Sequence, residues 1–124
     1  MPFFMTDFPL QVNRDITIVI AIQDENQANI APPFALGKFC FALATTDPDL
    51  QGTATPIVTR DSNGAYVRFQ NTSPSPQWFM QCDILAADTV GLVAGTYCYE
   101  VELFVTPKQY TLKKGYFTLA PSLL

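Results

Sequence analysis

Hydrophobic and polar positions alternate along most of this chain with a period of two, and only briefly do they approach the period of a helix. Residues 15–22 (DITIVIAI) are dense in β-branched side chains and predict a strand buried on at least one face, ended by the polar run 23–29. After the Pro32-Pro33 breaker, LGKFCFALA sets Phe39, Phe41 and Leu43 against Cys40, Ala42 and Ala44. That is a strand with one demanding face and one lined by small residues. Residues 57–60 and 65–70 flank Asp61-Ser62-Asn63-Gly64, whose members tolerate left-handed backbone, and the three segments together predict a hairpin.

Two prolines exclude NTSPSPQ from a ladder interior, and WFMQCDIL follows as a strand. AADTVGL has room for one short helical turn capped by Asp88. In GTYCYEVELFV, Tyr97, Tyr99, Val101, Leu103 and Val105 share a face opposite Thr96, Cys98, Glu100, Glu102 and Phe104. The return strand, YTLKKGYFTL, points Leu112, Phe117 and Leu119 inward and has Gly115 as the expected bulge.

Strands spaced at roughly ten to fifteen residues, with turn signals between them and no long amphipathic helix, predict an all-β fold: an antiparallel two-sheet sandwich of about seven strands with at most one short helical turn. A closed barrel is the alternative architecture. The 124 residues suffice for one core. The division expected is an N-terminal arm and first edge strand at residues 1–12, a single sandwich domain at 13–120, and a tail at 121–124.

Composition narrows the chemistry. Charged residues make up 15% of the chain, so much of its surface must be neutral or apolar, which favours contact with neighbours. Seven cations against eleven acids, the cations scattered, give no basic face for nucleic acid or an anionic membrane. The apolar N-terminus lacks the positive leader of a signal peptide, and the longest apolar run, residues 18–22, is too short to cross a bilayer. With no histidine, the common zinc sites and histidine-based triads are excluded. Cys40, Cys82 and Cys98 form no CxxC pair and read as buried or semi-buried small apolar residues in a reducing compartment.

Asp47-Pro48-Asp49, the one tight acidic pair in a loop, lacks calcium-loop spacing. The glycines are isolated, so no phosphate loop is formed. The expectation is therefore no catalytic residue, no metal site and no cofactor.

The last third is more distinctive. Within residues 85–121 (LAADTVGLVAGTYCYEVELFVTPKQYTLKKGYFTLAP), an Ala-Asp-Thr-x-x-Leu segment precedes Leu92-x-x-Gly95-Thr96-Tyr97. A hairpin then returns through Leu112-x-x-Gly115-x-Phe117-x-Leu119. This run resembles the C-terminal half of small immunoglobulin-like modules in tailed-bacteriophage virion proteins, such as the N-terminal domain of the baseplate upper protein and short stand-alone structural proteins. Roughly a third of the chain carries the resemblance. Leu92, Gly95 and Tyr97 suit a tyrosine corner, which stabilises and does not react.

The resemblance implies an immunoglobulin-like sandwich in a non-enzymatic virion structural protein. The first expectation is a capsid decoration or cement protein, the second a neck, tail or baseplate component. It implies assembly in the host cytoplasm, the major capsid protein as first partner, and a homo-oligomer or many-copy array. Partner contact is expected from Phe3, Phe4, Met5 and Phe8 in the arm, from Leu123 and Leu124 in the tail, and from a second patch at Trp78 and Phe79. A carbohydrate- or cell-surface-binding module using Trp78, Tyr66 and Phe69 is the reading from another class.

Overall fold

The computed structural model describes residues 8–43, 56–72 and 77–121. In chain order the described elements are β1 (Phe8–Gln11), β2 (Ile16–Ala21), β3 (Leu36–Leu43), β4 (Val58–Asp61), β5 (Val67–Thr72), β6 (Gln77–Ile84), the single turn α1 (Ala86–Thr89), β7 (Gly95–Val105) and β8 (Lys108–Ala120). They form a β-sandwich. A five-stranded sheet runs β1-β8-β7-β3-β4 and a three-stranded sheet runs β2-β6-β5. Setting β1 aside, the order matches that of the immunoglobulin fold, with strands B-E-D facing G-F-C and one extra strand beside C.

Period-two patterning selects the core. Phe39, Phe41, Tyr97, Tyr99, Val101, Leu103, Phe117 and Leu119 of the large sheet meet Ile18, Val67, Met80, Cys82 and Ile84 of the small one, all buried. Rings fill the centre. Phe117 stacks on Phe8 at 5.1 Å and on Tyr97 at 5.7 Å, and takes Phe41 edge-on at 5.4 Å. Each buried aromatic or aliphatic side chain contributes about 1.5–3 kcal/mol, so this layer dominates stability.

Several expectations need correction. Residues 57–60 and 65–70 do not form a hairpin: β4 pairs with β3, while β5 pairs with β6 in the other sheet. The Asp61–Gly64 turn is locally tight, with the Asn63 amide donating to Asp61 Oδ1 and the Gly64 amide to the Asp61 carbonyl. It is also tied to β3, because the Gly37 amide donates to Ser62 Oγ and the Ser62 amide to the Gly37 carbonyl. Those bonds hold β4 beside β3 and send the chain across the sandwich. The bulge in the last hairpin falls at Leu112 and not at Gly115, since Val101 faces Lys113, Glu102 faces Thr111, and Gly115 keeps its partner Tyr99. Leu43 is exposed, whereas Ala42 on the other face is buried with Cys98 in a second small cluster. Finally, β1 pairs with β8 in parallel, Phe8 opposite Phe117 and Gln11 opposite Ala120.

Candidate interaction surface

Of the expected contact residues, Phe3, Phe4, Met5, Leu123 and Leu124 lie outside the described residues, as do Asp47 and Asp49. Phe8 is half-buried, spending one ring face on Phe117 and approaching Tyr99 at 5.5 Å. Trp78 and Phe79 do not make one patch. Consecutive strand residues point to opposite faces, and Trp78 packs inward, edge-on to Phe34 at 5.5 Å. Phe79, opposite Ala21 and Gln70, takes the outer face of the small sheet.

The sugar-platform residues are likewise separated. Phe69 joins Phe34 inside at 4.8 Å. Tyr66 is exposed and lies under the Arg60 guanidinium at 5.1 Å. The Tyr66 carbonyl accepts from the Asp83 amide, five residues along β6 from Trp78, or about 17 Å of strand.

Tyr97, near the start of β7, is buried, and its hydroxyl donates to the Val93 carbonyl at 2.7 Å. Gly95 before it has φ +154°, a conformation that side chains rarely adopt, and Leu92 packs against the core. The loop from α1 is thereby pinned to the sandwich end. Beside it, Arg60 holds Asp88 through two bonds of 2.5 and 2.6 Å and donates to the Asp83 carbonyl at 3.0 Å, so β4 of one sheet is tied to β6 and α1. Asp88 also accepts from the Leu85 amide at 2.6 Å, capping the turn. Burial acts to raise its pKa, but the Arg60 hydrogen bonds, the Leu85 amide and the Arg60 charge outweigh burial and hold the carboxyl below its ordinary value. A bond from Arg68 lowers Asp83 in the same direction, against a smaller burial effect.

The thiols are placed away from nucleophilic chemistry. Burial, with Asp83 adding to it, pushes Cys82 up to about 12. Burial and then Glu100 push Cys40 up to about 11, and burial raises Cys98.

What the fold does gather is apolar surface at one end. The last residue of β3, Leu43, faces Tyr97 at the start of β7, and Ile57 joins β3 there by donating to the Phe41 carbonyl. Val90 and Val93 precede β7 at the same end, and β8 finishes there with Leu119 opposite Gly95. Leu43, Ile57, Val90 and Val93 are 48%, 41%, 61% and 67% exposed. Scattered single apolar residues are ordinary on protein surfaces, whereas large contiguous apolar patches accompany interaction sites. No sequence period could reveal this patch, because its members come from a strand end and two loops that only the sheet register brings together. The sequence matches no family model and no curated protein.

Proposed function

We propose that this chain is a non-enzymatic structural protein of a tailed-bacteriophage virion, a head decoration protein that binds and stabilises neighbouring subunits. The supporting observation is the apolar sandwich end formed by Leu43, Ile57, Val90 and Val93. β8 ends at Ala120, at that same end. The likeness of residues 85–121 to phage immunoglobulin-like modules supplies the class. A surface with few charges suits a lattice of many copies, and the proposed partner is the major capsid protein, contacted by a homo-oligomer or array.

The test is to purify particles, locate the chain in them, and compare incorporation of the unaltered protein with that of Val90→Asp/Val93→Asp. Both side chains are mostly exposed, so the fold should be retained. Incorporation should fall at least tenfold, since buried charge at an interface is strongly unfavourable. Undiminished incorporation would overturn the role of this end. Recovery of the chain from tails or baseplates would move it to the neck, tail or baseplate reading. Absence from particles would end the virion reading altogether.

A further inference from the structure

Asn63 and Gly64 sit in the turn that follows β4, and both are exposed. Among the described residues no hydrogen bond holds the Asn63 carboxamide, and only its backbone amide is engaged, donating to Asp61 Oδ1 at 3.0 Å. The Gly64 nitrogen lies one peptide bond away, so its attack on Asn63 Cγ closes a succinimide ring. A side chain on the residue after an asparagine crowds that approach, and glycine has none. A Cβ built at Gly64 would meet only the Asp61 carbonyl oxygen, at 3.6 Å, so the turn itself does not shield the attacking nitrogen. Asn13, Asn26, Asn29 and Asn71 each precede a residue with a side chain.

The remaining restraint is the bond from the Gly64 amide to the Asp61 carbonyl at 3.1 Å. A single bond at an exposed turn opens at little cost, and opening releases the nitrogen.

We propose that Asn63 is a site of spontaneous covalent modification, at which slow conversion to aspartate and isoaspartate loosens the tie between β4 and β3. Gly64 gives its N–H proton to solvent base and bonds to Asn63 Cγ, while the side-chain nitrogen takes a proton from water and leaves as ammonia. Water then adds to one carbonyl of the imide, the C–N bond there breaks, and the Gly64 nitrogen regains a proton. Breaking the bond to Cγ leaves ordinary aspartate. Breaking the bond to the backbone carbonyl carbon leaves isoaspartate, with the chain running through Cγ. The sum is amide and water to carboxylate and ammonium, with nothing oxidised or reduced.

Both products add a negative charge close to Asp61, and isoaspartate also inserts a methylene into the main chain of the turn. The second change bears on the fold. Ser62, next to Asn63, holds β3 through its amide to the Gly37 carbonyl at 2.8 Å and its Oγ to the Gly37 amide at 3.0 Å. Lengthening the chain beside Ser62 pulls both bonds away from good geometry. The site goes beyond the virion reading and does not depend on it.

The test is to hold the purified full chain in mildly alkaline buffer, beside Gly64→Ala, and follow each asparagine by peptide mass spectrometry. Gly64 does not use a left-handed backbone and has room for a Cβ, so the variant should keep the parent's urea midpoint. Residue 63 should be modified about tenfold faster than any other asparagine, and Gly64→Ala should slow it about tenfold. The aged isoaspartate form is then compared with Asn63→Asp, which carries the charge without the methylene. The Ser62 and Gly37 amides should exchange about tenfold faster in the aged form, with Phe117 unchanged in both. Modification that begins at another asparagine, or an equal rate in a folded Gly64→Ala, overturns the site. Equal exchange of the Ser62 and Gly37 amides in the aged form and Asn63→Asp overturns the loosening.

Discussion

Tyr97 shows how one hydroxyl can fix an end of the sandwich. The ring is packed among Phe41 and Phe117 while the oxygen reaches back four residues to Val93. Tyr97→Phe keeps the packing and deletes that bond, so urea denaturation should show a loss of about 1 kcal/mol. No gain of helical signal should accompany it.

Asp88 carries a larger burden, because its carboxylate serves Arg60 and the α1 cap together. Asp88→Asn should cost about 2–4 kcal/mol near neutral pH, since it leaves the largely buried Arg60 guanidinium short of its partner. Its folded pKa is depressed, so its contribution is complete above the unfolded value of about 3.9 and fades as the pH falls through the folded one. Urea midpoints of the two proteins should therefore converge below about pH 4, whereas a constant gap down to pH 2 would contradict the assignment.

At the scale of elements, the close approach of the two sheets rests on one missing side chain. A Cβ at Gly37 of β3 would fall 2.5 Å from Met80 Sδ and 3.0 Å from Phe69 Cζ, beneath the small sheet. Gly37→Ala should destabilise the domain by about 1–3 kcal/mol through overpacking. Met80→Ala alone opens a cavity at about 2–5 kcal/mol, and in the double variant the two changes relieve each other. Chemical denaturation of the four proteins should give a sum of the single losses that exceeds the double loss by more than about 0.5 kcal/mol. The Leu112 bulge is the other device at this scale. By inserting one residue into β8 it shifts the phase of the strand, so that Leu112 and Lys113 both reach a groove beside β2.

At the scale of the molecule, an immunoglobulin-type strand order is closed without a disulfide. All three cysteines are free, and the space between the sheets is filled by rings from β1, β3, β7 and β8. The surface that results has three distinct parts: an apolar end at the tyrosine corner, a groove along the β2 edge, and an outer face on the small sheet laced by polar pairs. On that face Asp83 binds Arg68 at 2.7 Å and accepts from Thr17 at 2.7 Å, and Gln81 donates to Gln70. The third is a solvated face.

The residues that enter the core were readable from the sequence, because a strand's inward side is set by period two and Phe39, Phe41, Tyr97, Tyr99, Val101 and Phe117 keep that period. The Asp88 cap was also readable, since the bond to Leu85 spans only three residues. Local spacing could not say which strand each segment would join. The same Asp61–Gly64 turn is compatible with a hairpin or a crossover, and bonds to Gly37, distant in sequence, decide between them. The apolar end and the β2 groove depend in the same way on sheet order, because side chains far apart in the chain become neighbours only once register and strand pairing are fixed.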